Sequence, residues 1–114
     1  LTPLDETIKT ITAYGINHHT ADAAVREKIA FSPAETASAL TDCRRQTGVD
    51  EVVLLSTCNR SELYTVGGHS AHVAAWLAAY KHLDPAALAP LTFQVHNRDA
   101  IRHIYRVASG LDSL

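Results

Sequence analysis

A thiol stands among polar side chains in Ser56-Thr57-Cys58-Asn59-Arg60. A thiolate, once formed, attacks an ester and holds the acyl group as a thioester. At an ordinary thiol pKa only about 3 % is ionised at neutral pH, so a neighbouring cation would help. Arg60 is close in the chain, and its planar fork can clamp a carboxylate with two parallel hydrogen bonds. Thr57 and Asn59 can orient a substrate. Each of these side chains also has a structural reading: Cys58 as a thiol at a strand end, and Arg60 as the ion-pair partner of Glu62. Cys43 is different, lying on the apolar stripe of a helix, where a free cysteine behaves as a small buried hydrophobe.

The elements on either side must hold this cluster still. Val52 to Leu55 is a short aliphatic run that reads as a buried strand, and Glu62 to Val66 reads as a second strand, so the thiol sits at the turn between them. Ahead of them, Thr7 to Gly15 alternates as a first strand ending at Gly15 to Asn17, after a lead-in at Leu1 to Glu6. Ala21 to Ile29 follows as a short helix. Ser32-Pro33-Ala34-Glu35 opens a longer helix with a cap, a proline at the first position and a glutamate three residues after the cap. That helix carries Ala34, Ala37, Leu40 and Cys43 on one stripe and is closed by Gly48. Gly67-Gly68 ends the third strand. His69 to Lys81 is a helix burying Val73, Trp76, Leu77 and Tyr80, and Asp84-Pro85 caps a further turn to about Leu88. Leu91 to Val95 is a fourth strand. Asn97 caps a last helix with Ile101, Ile104, Tyr105 and Ala108 inward. This order predicts an α+β, ferredoxin-like split βαβ sandwich: a four-stranded antiparallel sheet with helices on one face, plus a C-terminal helix.

The 114 residues suit one domain. The 46 % hydrophobic and 19 % charged content argues against disorder. No apolar run reaches membrane-spanning length and no signal peptide opens the chain, so no membrane partner is expected. Two cysteines argue against a disulfide framework, and a reducing, cytoplasmic home is the expectation. A net charge of −2 gives no global attraction to nucleic acid. Arg98, Arg102 and Arg106, four apart on the last helix, form a local basic stripe that either meets a polyanion or is simply solvated. The seven histidines are scattered. His18-His19 is poor spacing for ligands on a regular element, and His69 and His72 lack any supporting metal motif, so no metal site is expected. His103 is either a general acid or base or an exposed helix residue.

Four blocks carry a family resemblance: Gly15-Ile16-Asn17-His18-His19-Thr20, Val25-Arg26-Glu27-Lys28, Leu55 to Tyr64 with its Ser-Thr-Cys-Asn-Arg-x-Glu-Leu-Tyr core, and Arg106 to Leu114. In register and in order, from about Ile11 to Leu114, the chain resembles the amino-terminal catalytic domain of glutamyl-tRNA reductase. The resemblance implies NADPH-dependent reduction of glutamyl-tRNA to glutamate-1-semialdehyde, the entry to five-carbon tetrapyrrole synthesis. It implies Cys58 as nucleophile, Thr57, Asn59, Arg60 and Ser113 as substrate contacts, and His103 in an accessory catalytic role. It further implies that residues 1–114 are the glutamyl-tRNA-binding catalytic domain of a longer protein. The NADPH-binding and dimerisation domains would lie outside this chain, since it carries no Gly-rich dinucleotide fingerprint. A homodimeric full-length protein, a monomeric fragment and handover to the following aminomutase complete that expectation. Two rivals remain: a non-catalytic tRNA-binding ferredoxin-like module using the arginine stripe, and a haem- or metal-responsive regulatory domain using His18, His19 and Cys58.

Overall fold

The computed structural model describes residues 9–114. Its elements are β1 (Ile11–Asn17), α1 (Ala23–Ile29), α2 (Pro33–Thr47), β2 (Glu51–Ser56), β3 (Arg60–Val66), α3 (Ser70–Tyr80), α4 (Pro85–Leu88), β4 (Phe93–His96) and α5 (Asn97–Ala108). The strands form one sheet of order β2-β3-β1-β4, and every neighbouring pair is antiparallel. This is the expected α+β architecture. The lead-in at residues 1–6, and Thr7 and Ile8 of the expected first strand, lie outside the described residues.

Local chemistry sets the helix ends. Ser32 Oγ accepts from the Glu35 backbone N–H at 3.3 Å and donates to the Glu35 carboxylate at 3.2 Å, so the cap and the third residue satisfy each other. Pro33 follows at the first position, and Gly48 closes α2 in the left-handed conformation. Asp22 and Asp84 cap α1 and α4 through their carboxylates.

The sheet is covered on both faces. On one, Tyr14, Ile16 and Leu63 pack with Ala39 and Cys43 of α2 and Val73, Trp76 and Leu77 of α3 to make the hydrophobic core. Burying a side chain such as Leu63 or Leu77 there stabilises the fold by roughly 1.5–3 kcal/mol. On the other face, α5 packs against β1 and β4. There Ala13, Gly15 and Asn17 pair with Tyr64, Glu62 and Arg60. Gly15 is required at this crossing: a Cβ on it would fall 2.2 Å from the Ser61 carbonyl oxygen.

Several expected details are corrected. The buried stripe of α2 is Ala39, Cys43 and Thr47, so Ala34 and Ala37 face solvent. The run Val52 to Leu55 is an edge strand rather than a fully buried one, and Val53 is 57 % exposed. It pairs with Tyr64 on the face that α5 covers, and α5 packs chiefly against β1 and β4. In α3, Ala78 is buried and Tyr80 only half-buried. The fourth strand starts at Phe93 because Ala89–Leu91 forms a 3-10 turn. The last helix is rotated from its expected orientation. Ala100 and Val107 are its buried residues, while Ile101 and Tyr105 point outward. A face lined with Arg60 and Glu62 selects small and polar neighbours, and His103 supplies the donor that a buried carboxylate needs. Asn97 does not cap α5 through its side chain. It takes φ +50, and its Oδ1 accepts from the Ile11 backbone N–H at 3.1 Å.

Candidate active site

At one end of the sheet the β2–β3 connection is pinned from inside. The Thr57 backbone N–H donates to the Arg60 carbonyl at 2.7 Å, closing the turn. Thr57 Oγ1 accepts from the backbone N–H groups of Asn59 and Arg60 at 3.1 and 3.3 Å. Cys58 at the apex is exposed and free of disulfide, and its Sγ donates only a weak contact to Asn59 Oδ1 at 3.9 Å. A cleft of about 460 Å³ opens beside it, lined by Ala23, Arg26, Phe31, Ser56, Thr57 and Cys58 among others.

The cation that reaches Cys58 is Arg26 rather than Arg60. Arg26 Nε donates to the Cys58 carbonyl at 3.1 Å, while its Nη1 donates to the Ala21 carbonyl at 2.8 Å. Arg60 turns the other way, and its side chain is fully buried. Its Nη1 meets Glu62 Oε2 at 2.7 Å, its Nη2 meets Asp112 Oδ2 at 3.3 Å, and its Nε and Nη2 donate to the Ser113 carbonyl at 3.0 and 2.5 Å. The ion pair with Glu62 is therefore formed, and the guanidinium is occupied by the chain's own groups.

Glu62 is the hub beneath. It takes bonds from Asn17 Nδ2 at 3.1 Å, Tyr64 OH at 2.5 Å and His103 Nε2 at 2.7 Å, besides Arg60. Burial alone would push its carboxyl up, but the hydrogen bonds from His103, Tyr64 and Asn17 outweigh this and hold it below the usual carboxylate value. Burial and the adjoining carboxylate push the Tyr64 phenol far up. His103, partly buried, also packs on Phe93 at 4.8 Å between ring centroids. It makes no hydrogen bond to Cys58; the link runs through Glu62 and Arg60 back to the turn.

The segment after α5 returns over this turn. Asn59 Nδ2 donates to Ser113 Oγ at 2.7 Å, and Thr57 Oγ1 donates to the Leu114 carbonyl. Thr57, Asn59, Arg60 and Ser113 are thus gathered around the connection that bears Cys58, and His103 joins them from below. Sequence reasoning named Glu62 only as an ion-pair partner of Arg60, and missed its place as the hub together with the contacts of Arg26 and Asp112. A charged residue in mid-strand two positions after an arginine was the available signal for Glu62. Arg26 and Asp112 lie within blocks that carry the family resemblance, but their contacts needed the fold.

Residues 14–114 match the family described as glutamyl-tRNAGlu reductase, N-terminal domain. The chain belongs to that family. It is 48 % identical over 91 % of its length to a glutamyl-tRNA reductase of Shewanella baltica, covering 25 % of that protein. A glutamyl-tRNA reductase of Aromatoleum aromaticum is 46 % identical over 90 % of the chain, which spans 24 % of it. The solved glutamyl-tRNA reductase from Methanopyrus kandleri superposes with a TM-score of 0.68 at 33 % identity, over 91 % of this chain and 23 % of that one. The chain spans about a quarter of the length of these glutamyl-tRNA reductases. The stretch shared with the reductase family contains the whole pinned turn, Glu62, His103 and the returning Ser113 segment. No helix among the described residues is long and apolar enough to cross a membrane.

Proposed function

We propose that the chain is the acyl-transfer domain of a glutamyl-tRNA reductase and that Cys58 is its nucleophile. The Cys58 thiolate attacks the aminoacyl ester carbonyl, the bond from that carbon to the tRNA ribose oxygen breaks, and the oxygen leaves with a proton. The product on the protein is a glutamyl thioester. The observation that carries this reading is an exposed thiol at the apex of a turn fixed by Thr57 and Asn59, facing an open cleft. Membership of the reductase family supports it.

The other residues take supporting parts. Arg26, at the Cys58 carbonyl, places a positive charge beside the turn. Thr57, Asn59 and Ser113 are the polar groups nearest an incoming aminoacyl end. Arg60 contacts the substrate carboxylate only after giving up the Ser113 carbonyl, and otherwise positions the turn through Glu62. His103 acts through Glu62 as a positioning residue.

The family's reduction step uses NADPH, and the described residues of this chain do not fit that cofactor. Gly67 and Gly68 close a turn against Asp50 and Val49 and form no phosphate cradle at a helix start. We assign that step to a part of the protein outside this chain, together with the dimer contact and any handover of product to an aminomutase.

Incubation of the chain with glutamyl-tRNA and mass spectrometry of the adduct tests the reading. A thioester on Cys58, absent in Cys58→Ser, is expected. An unmodified Cys58, or ester turnover by Cys58→Ser equal to wild type, overturns it.

A second reading rests on α5, where Arg98, Arg102 and Arg106 are exposed and make no ion pair among the described residues. They would add a salt-sensitive hold on the tRNA backbone. Binding without acyl transfer, steeply weakened by salt, would favour a tRNA-binding module over an enzyme domain.

A further inference from the structure

His18 and His19 lie in the turn after β1, outside any regular element, so adjacency does not send their rings to opposite faces. The rings sit 4.0 Å apart between centroids. Asp112, from the segment after α5, points between them. Its Oδ1 lies 3.2 Å from His19 Nε2 and 4.0 Å from His18 Nε2. One donor atom from each of the three residues lies within 4.8 Å of the others. Two ligands of a tetrahedral zinc ion at Zn–N distances of ~2.0 Å stand ~3.3 Å apart, so small side-chain rotations bring these donors onto one ion.

We propose that His18, His19 and Asp112 form a binding site for a divalent transition metal of the zinc class, with one coordination position open. Two imidazoles and one carboxylate suit such an ion better than magnesium or calcium, which prefer all-oxygen shells. The Nδ1 of His18 is buried and has no hydrogen-bond partner, so no protein group fixes that ring in a metal-bound tautomer. Without that support the affinity falls about 10–100-fold below that of a site whose ring is held by an outer partner. The other oxygen of Asp112 faces Arg60 at 3.3 Å, so the ion would tether the returning segment to the β1–α1 turn directly beside the Cys58 loop.

The site stands on geometry independent of the acyl-transfer reading, and its test uses no tRNA. Zn²⁺ is titrated against a chromophoric chelator, and Co²⁺ serves as the spectroscopic probe. One equivalent is expected to bind, with visible d–d absorption and no thiolate-to-cobalt charge-transfer band. His19→Ala, at an exposed position, and His18→Ala each weaken binding at least about tenfold. His69→Ala and Cys58→Ser leave it unchanged. Circular dichroism checks that each variant is folded, and His18→Gln replaces His18→Ala if the latter is not. Amide exchange around Asp112 and Ser113 slows on Zn²⁺ addition. Wild-type binding no tighter than the His18→Ala/His19→Ala double variant overturns the site and leaves His19–Asp112 as a hydrogen-bonded pair. Loss on His69→Ala or Cys58→Ser overturns it equally, and binding without slowed exchange overturns the tether.

Discussion

Arg60 and Glu62, two positions apart on one face of β3, form a 2.7 Å ion pair in which both side chains are fully buried. One member comes from the edge of the Cys58 turn and the other lies mid-sheet, so the pair connects the loop to the scaffold. Removing one partner leaves the other charge buried and uncompensated. Glu62→Ala is expected to destabilise the fold by about 3–5 kcal/mol, measured by urea unfolding. Arg60→Lys keeps the charge but loses the fork that serves Glu62 and the Ser113 carbonyl together, and is also expected to destabilise.

Acid should weaken the protein through the same carboxylate. Glu62 is depressed below its ordinary value of 4.5. A carboxyl whose folded pKa is lowered contributes stability that is whole above the unfolded value and is lost as pH falls through the folded one. Asp112 acts in the same direction below its ordinary value of 3.8: burial opposes the shift, but the His19 hydrogen bond and Arg60 outweigh it. Unfolding free energy should therefore fall steadily below pH 4.5, and Glu62→Gln should flatten part of that slope.

The two thiols should separate cleanly on alkylation. Cys58 is exposed, while Cys43 is 0 % exposed on the inner face of α2 and burial pushes its thiol up. Iodoacetamide is expected to label Cys58 in the folded protein and Cys43 only once denaturant opens the core. Equal labelling rates under native conditions would contradict this burial pattern.

Gly15→Ala should be poorly tolerated. Its Cβ would meet the Ser61 carbonyl oxygen at 2.2 Å and Glu62 Cα at 2.8 Å, both backbone atoms that cannot step aside. Gly15 has φ +155, which L side chains rarely adopt. Strain there costs about 1–3 kcal/mol, and the clash adds to it, so thermal unfolding should show a clear loss. The same residue carries the polar face of the sheet, so His103–Glu62 geometry should loosen with it.

By contrast, Ser32→Ala should be a small, separable change. It removes the cap on the Glu35 N–H and is expected to cost about 1 kcal/mol, read as a modest fall in the unfolding midpoint with Cys58 alkylation unaltered.

Features written in a few consecutive residues were legible from the chain alone. Ser32 to Glu35, Gly48 and Asp84-Pro85 mark helix ends because capping is local chemistry. The strand order follows from the sequence of elements, and the Cys58 turn from two apolar runs around polar residues. What stayed hidden needed a third dimension. Arg60 looks outward as readily as inward until β1 and α5 are laid over it. The inward face of α5 was misjudged because large apolar residues were assumed to seek the interior, whereas this interior holds a carboxylate and takes His103 and Ala100. Asp112 sits 52 positions beyond Arg60, a distance no local pattern spans.

The Ser113 carbonyl already fills the hydrogen-bonding fork of Arg60. Any carboxylate arriving there takes part in an exchange rather than filling a vacancy, and its apparent affinity is reduced by the fraction of molecules in which the chain itself is seated. On the role proposed for Arg60, selectivity would rest on competition: an anion that can grip both nitrogens would evict the peptide oxygen, while a neutral group would have little with which to do so.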